Sequence, residues 1–364
     1  MSTPRVLLSR LARRVGLTTT GRVEYLEKQV TSLRQDNHRL QARTERLEKR
    51  RGALRSSLDE IKERSRTTAV REVPGVSRLE LRRRCALTSV DAAEPTILEI
   101  GPAHNGIFPK REGYRTRTVD YLDRDGLVER YRDFEQYSPD DIEVVDYVLA
   151  PGAALSEAIP DRFDLVMASH VLEHTTSMID FLVECRRLLA PGGVVALVVP
   201  DHRYCFDRFR ERSSLARVID AHAAPPTVHT IGAVIEEKLN ASRHRGTTAW
   251  MPGHRGDYEL IFGAQEARQH GEEARRGERY IDTHNWVCTP HHLRLLLQDL
   301  HDLELTDLRE TSFHDTVRHE FFLNLSVDGP GSRLSREELL VLSDDERRSL
   351  DRPRFRGDPA GASS

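Results

Sequence analysis

The sequence predicts an α/β protein: a mostly parallel seven-stranded sheet with crossover helices, preceded by an N-terminal coiled-coil helix. Three observations carry this. Residues 96–200 alternate strand and helix signals, as a parallel sheet with crossovers requires. Two further strand-like runs, 304–312 and 319–327, are joined by a short loop, which favours an antiparallel pair. Between Val23 and Ile61 leucine recurs every seventh residue.

The length of 364 residues implies two or more units at about 100–200 residues each. The formal charge of −3 singles out no partner, but residues 1–70 carry +9 and the remainder −12. Cys85, Cys185, Cys205 and Cys288 form no CxxC pair and no zinc-finger spacing, so a reduced, cytoplasmic protein is expected. No apolar run approaches the ~20 residues of a membrane span. The basic segment 1–21 is too interrupted by Arg10, Arg13 and Arg14 for a signal peptide. It reads as a frayed terminus or as a short amphipathic helix in peripheral contact with anionic lipid.

In residues 22–64, Leu26, Leu33, Leu40, Leu47, Leu54 and Ile61 form a d seam. Val23, Val30, Asn37, Thr44, Arg51 and Leu58 form the a seam. Asn37 at an a position specifies a parallel homodimer in one register, with Arg22–Glu27 and Arg43–Glu48 as cross-strand pairs. Thr44 and Arg51 weaken the second half, and Gly52 costs about 1 kcal/mol of helix propensity. The positive face reads as solvated rather than as a nucleic-acid site.

Residues 65–95 read as a linker, broken at Pro74-Gly75, and a short lead-in helix. Strands are expected at 96–100, 116–121, 143–149, 164–169 and 194–199. The last is continuously apolar, as in a strand buried on both faces. A helix from about Met178 to Leu189 precedes it, stopped by Pro191-Gly192-Gly193. Residues 201–285 are polar, rich in His and Arg, and weakly periodic. They read as a substrate-side insertion with a small aromatic core of Tyr204, Phe206, Phe209, Trp250, Tyr258 and Phe262. Pro290–Leu300 reads as a helix, and 328–364 as a polar tail with a short helix near 335–350 and disorder after it.

Ile97-Leu98-Glu99-Ile100-Gly101-Pro102-Ala103-His104-Asn105-Gly106 reads as a buried strand ending in a small-residue turn, suited to a nucleoside cofactor. Asp120 follows Glu99 by twenty-one positions at the tip of the next strand, where an acid holds ribose hydroxyls.

Four pieces in order resemble class I S-adenosylmethionine (SAM)-dependent methyltransferases, a Rossmann-like family, over about residues 94–200 and the last two strands. They are Glu99-Ile100-Gly101-Pro102-Ala103, Val119-Asp120, Phe163 to His174, and Leu188-Leu189-Ala190-Pro191-Gly192-Gly193. Missing GxGxxG glycines count against the competing nicotinamide-binding reading: Ala103 takes the second position and Asn105 or Gly106 the third. The resemblance implies S-adenosyl-L-methionine as cofactor. It implies that Glu99, Gly101, Ala103, Asn105 and Gly106 wrap its methionine and ribose. Asp120 would hold the ribose hydroxyls, Tyr121 or Leu122 would lie against adenine, Asp146 would face the adenine amino group, and Ser169 and His170 the methionine moiety.

Methyl transfer to a hydroxyl needs an aligned acceptor and a base. Candidate catalytic residues are His170, Glu173 and His174 after the fourth strand, and Asp201 and His202 after the fifth. His170-x-x-Glu173-His174 also resembles an acidic-x-x-Glu-His metal site of some O-methyltransferases. Here His replaces the first carboxylate, a poor match for Mg²⁺, so no metal is expected. His284-Asn285-Trp286 reads as part of an acceptor wall or as mixed packing at the insertion boundary. Similar domains resemble those found with surface-polysaccharide glycosyltransferases, which implies a hydroxyl of a sugar, glycan or small metabolite as acceptor. The other readings are O-methylation of a quinone or secondary metabolite, and a coiled-coil scaffold that binds SAM or S-adenosylhomocysteine without turnover. Glu99, Asp120 and Asp164 favour retained binding.

Overall fold

The computed structural model describes residue 10 and residues 20–65, 75–133, 138–150, 153–252, 254, 256–277 and 280–349. The expected basic terminus (apart from Arg10, Thr20 and Gly21), most of the linker and the end of the polar tail lie outside the described residues. Two units divide between Glu60 and Ile61.

The first unit is dominated by helix α1 (Thr20–Ser65), which passes Thr44, Arg51 and Gly52 without a break. The Thr44 hydroxyl donates back to the Leu40 carbonyl at 2.9 Å, within the helix. Its d-position leucines are bare: Leu26 is 50% exposed and Leu54 72%.

The second unit begins with α2 (Arg78–Leu87), β1 (Thr96–Ile100), β2 (Arg115–Asp120), α3 (Arg124–Tyr131) and β3 (Tyr147–Val148). It continues through α4 (Leu155–Ala158), β4 (Phe163–Ser169), α5 (Met178–Arg187) and β5 (Leu189–Pro200). The 201–285 stretch holds α6 (Leu215–Ala223), α7 (Ile231–Asn240), β6 (Ser242–His244), β7 (Thr247–Thr248), β8 (Tyr258–Leu260) and α8 (Ala264–Arg276). After it come α9 (Pro290–Asp302), β9 (Arg309–Val317), β10 (Glu320–Ser326) and α10 (Arg336–Arg348).

The main sheet has the order β3-β2-β1-β4-β5-β10-β9. Strands β1 to β5 pair in parallel, whereas β10 runs antiparallel to both β5 and β9. Both faces are covered, which is why β5 is apolar from Val194 to Val199. Val195, Leu197 and Val199 pack with Leu182, Leu293 and Leu296, under α5 and α9. Val194, Ala196 and Val198 pack with Leu81, Cys85 and Phe108, under α2. The four cysteines are free and buried. No helix among the described residues is long and apolar enough to cross a membrane.

Three strand boundaries differ from expectation. The 143–149 strand shrinks to Tyr147–Val148 because Asp146 substitutes a carboxylate for the ladder. Its Oδ2 accepts the Thr118 N–H at 2.8 Å while the Asp146 N–H donates to the Thr118 carbonyl at 3.1 Å, so the regular ladder starts one residue later. Pro191-Gly192-Gly193 lies inside β5 rather than before it. Leu189 already pairs with Phe163, and the register shifts between Phe163 and Leu165, with Gly192 at φ +74°. Gly193 is required there, since a Cβ would sit 2.8 Å from the Phe163 carbonyl. The penultimate strand starts at Arg309 rather than 304, because α9 runs on to Asp302.

One polar contact ties the covering helix to the sheet. Glu320, 2% exposed at the start of β10, accepts from Arg78 Nε and Nη2 and from Arg82 Nε and Nη2 of α2, at 2.7–3.0 Å. The Asn324 amide on the same strand donates to the Cys85 and Ala86 carbonyls, closing the end of α2. Replacing Glu320 by Ala strands the half-buried Arg82 charge. The expected loss is about 3–5 kcal/mol, read from urea unfolding; an unchanged midpoint would show the clamp to be dispensable.

Candidate functional site

The carboxyl ends of β1, β2 and β4 face one edge, where open α/β sheets bind ligands. The loop after β1 turns through two left-handed residues, Gly101 at φ +60° and Ala103 at φ +45°. Gly101 N–H donates to the Val119 carbonyl and Asn105 N–H to that of Pro102, both at 2.8 Å, closing a tight turn. Ala103 reaches this backbone region without glycine, at a cost of about 1–2 kcal/mol.

Glu99 has a different place from the one expected. Its carboxylate is 2% exposed and accepts the Ile107 and Phe108 N–H groups, at 2.6 and 3.2 Å. It pins the exit of the loop from its buried place. Burial pushes its pKa up to about 7 against those two hydrogen bonds.

Asp120 closes β2, buried, and its Oδ1 accepts the Tyr121 N–H at 2.8 Å. Burial raises its pKa. Tyr121 follows as an exposed ring stacked by the Arg130 guanidinium. A strand-tip carboxylate beside an open aromatic face and a tight small-residue turn is a donor and acceptor set that fits a nucleoside bearing ribose hydroxyls.

Ser169 ends β4, and His170 enters the next turn at φ +55°, a strained conformation for a residue with a Cβ. The His170 ring lies between two buried carboxylates. Nε2 is 3.1 Å from Glu320 Oε2, and Nδ1 is 3.4 Å from Glu173 Oε1. Burial lowers its pKa, but the two carboxylates outweigh that and leave it raised. His174 behaves likewise. Burial is overcome by Asp282, whose Oδ1 is 2.7 Å from Nδ1, and its pKa stands at about 9. Glu173 is 2% exposed, and its Oε1 faces His170 Nδ1 at 3.4 Å and His174 Nε2 at 3.9 Å. Burial would raise its pKa, yet His170, His174 and His284 hold it low.

The 201–285 stretch lays aromatic side chains on this group. The Trp250 ring is 6.2 Å from His170, 5.8 Å from His284 and 5.5 Å from His319 between centroids. Phe206 lies 4.9 Å from His284, which meets His174 edge-on at 4.8 Å. The result is a chamber of imidazoles and carboxylates walled by rings, adjoining the β1 loop: a Cβ on Gly101 would lie 3.6 Å from Val171 Cγ2.

Several sequence-predicted positions do other work. Asp146 is bound to Thr118, Lys110 and Arg117, which hold its pKa down against burial, so it braces β2 to β3 rather than facing an adenine. Asp201, fully buried, is gripped by Arg203 and accepts from the Thr316 hydroxyl, which removes it as a base. His202 is 3% exposed with Nε2 3.2 Å from the Asp207 carbonyl, and burial lowers its pKa; it is packed away from the chamber. Asp164 accepts Thr96 N–H and Oγ1 at the opposite end of the sheet and bears on no ligand. Residues not singled out as functional, Asp207, Asp282, His319 and Glu320, line or brace the group, and His284 belongs to the chamber rather than to mixed packing. Only His284 carried a sequence signal, in His284-Asn285-Trp286.

A protein-family profile described as a methyltransferase domain matches residues 47–306, more than half of the chain. A curated relative, the ubiquinone biosynthesis O-methyltransferase of Roseobacter denitrificans, is 44% identical over 50 residues, 14% of this chain. The match spans only 20% of that relative's length. Among solved structures, the methyltransferase CcbJ from Streptomyces caelestis is 15% identical, with 70% of this chain and 99% of that one covered at a TM-score of 0.35. The glycopeptide N-methyltransferase MtfA in complex with SAM is 13% identical, covering 71% and 90% at 0.34.

The buried Glu99 yields a pH test. A carboxyl whose pKa rises from 4.5 to about 7 on folding supports stability below pH 4.5. That support is lost as the pH climbs through 7, by about 3 kcal/mol in all. Glu99→Gln removes the titration and one N–H acceptor. The stability difference, wild type minus variant, should therefore fall between pH 4.5 and 7 in thermal melts. A pH-independent difference would show that Glu99 does not titrate in that window.

Proposed function

The chain belongs to the methyltransferase-domain family, and on that premise we propose that it is a SAM-dependent enzyme that methylates a hydroxyl of a sugar, glycan or small metabolite. When bound, SAM supplies a sulfonium-activated methyl group. The observation that supports the acceptor reading most is the Glu173 carboxylate, buried and flanked by the His170 and His174 imidazoles after β4.

The chain's own residues divide the work. The turn Gly101–Gly106 and Ser169 receive the methionine end, Asp120 accepts from the ribose hydroxyls, and Tyr121 offers its ring to adenine. Glu99 shapes that turn from behind. His170, locked between Glu173 and Glu320, positions the carboxylate rather than acting as the base. The acceptor hydroxyl is oriented at the Glu173, His174 and His284 side of the chamber, where negative oxygen draws its proton. Trp250 and Phe206 present flat apolar walls with polar groups between them, the surface a sugar ring or small metabolite matches.

We infer also a parallel homodimer through α1, in the cytoplasm. Its support is the bare leucine seam, Asn37 at an a position, and four free buried cysteines.

Calorimetry should register SAM binding that weakens about 10–100-fold in Asp120→Ala, the scale of losing a charge-assisted hydrogen bond. Glu173→Gln should keep that affinity while transfer of labelled methyl to nucleotide sugars falls about 10²–10⁴-fold. Absence of SAM binding in the wild type contradicts the function, and reaction with quinone precursors alone reassigns the acceptor. Leu33→Lys with Leu40→Lys should halve the mass seen by light scattering; an unchanged mass refutes the dimer.

A further inference from the structure

Away from the chamber, a cavity of about 100 Å³ opens between α9, the start of β9 and the turn at Gly331-Ser332. It has room for several waters rather than one. Arg294, Leu297, Gln298 and His301 line it from one face of α9. Arg294 is 2% exposed. Its Nε and Nη2 donate to Glu310 at 2.8 and 2.9 Å, and its guanidinium lies 4.2 Å over the Phe313 ring. Its Nη1 is buried with no partner within the protein, and so is Gln298 Oε1. A buried donor and a buried acceptor are costly unless another molecule takes both. The opposite wall is fixed in place. Arg309 crosses Gly331 to donate to the Pro330 carbonyl at 3.1 Å, where a Cβ on Gly331 would come within 2.8 Å of Arg309 Nη2.

The charges on the wall narrow the ligand. Arg294 and Arg309 stand against Glu310 and Asp302, so neither an anion nor a cation gains a net partner there. The bare atoms call for an uncharged group that accepts from Nη1 and donates to Oε1, and a hydroxyl does both. Ser332, whose hydroxyl accepts from Arg294 Nη2 at 3.1 Å, adds a further polar group, and Leu297 and Leu308 add apolar surface. Neighbouring hydroxyls on a carbon ring present the same mixture of polar edge and apolar face. We propose that this cavity binds vicinal hydroxyls of a sugar ring, as a carbohydrate site separate from the methyl-transfer chamber. Glu310 pairs with Leu325, five positions along β10 from Glu320, so about 17 Å of strand separates the cavity from Glu320. A glycan held there is tethered without occupying the chamber. That role rests on the sugar-acceptor reading above; hydroxyl binding in the cavity does not.

The test is saturation-transfer NMR on the full-length chain with the methyl glycosides of glucose, mannose and galactose, which between them offer trans and cis neighbouring hydroxyls. Transfer to at least one is expected. Its affinity should fall about tenfold in Gln298→Leu and in Gln298→Ala, the scale of one lost hydrogen bond. Trp250→Ala, a change in the chamber, should leave it unaltered. Thermal melts check that each variant folds. Transfer to none of the three glycosides in the wild type overturns the site, as does an affinity that survives both Gln298 substitutions. Loss of transfer in Trp250→Ala alone places the sugar in the chamber and overturns it too. Methyl transfer to nucleotide sugars is a separate readout, so failure of the acceptor reading leaves this result standing.

Discussion

The charge on Glu320 holds the functional half of the molecule together. The carboxylate opens β10, which runs antiparallel to both its neighbours in the main sheet, and there it meets Arg78 and Arg82 of α2 and the His170 ring from the end of β4. Burial alone would raise its pKa, yet these three donors hold it far below the usual carboxylate range. A charge that deep is tolerated only with its partners present. The covering helix, the edge of the sheet and the left-handed turn at His170 are therefore one connected arrangement. That arrangement aims His170 at Glu173.

A second buried carboxylate does similar work for the cofactor side. Glu99 ties the main chain at Ile107 and Phe108, which lets the turn between them fold tightly with an alanine in a left-handed conformation. Two acids set two loops, one after β1 and one after β4. Both are buried. What the loops present are main-chain groups, Asp120, Ser169 and the Glu173 cluster.

Much of the fold was legible because burial on both faces leaves a plain trace: the continuous apolar run of β5 and the strand–turn–strand pattern of β1 and β2. The short β3 was not, since a side chain, Asp146, takes over a main-chain bond there. Within the site, His170, Glu173 and His174 were legible as neighbours in one turn. Their partners were not. Asp207, Asp282 and His284 arrive from the 201–285 stretch, and Glu320 from β10, so only topology brings them together. Asp201 and His202 misled for the converse reason: they sit at a strand end in sequence, but their side chains turn into Arg203, Thr316 and the Asp207 main chain.

The most direct test of the account is a crystal structure of the full chain with S-adenosylhomocysteine. The account predicts ribose hydroxyls on Asp120, the amino-acid end in the Gly101–Gly106 turn, and the sulfur directed at the chamber of Glu173, His174 and His284. A ligand bound elsewhere, or one whose sulfur faces away from Glu173, would contradict it.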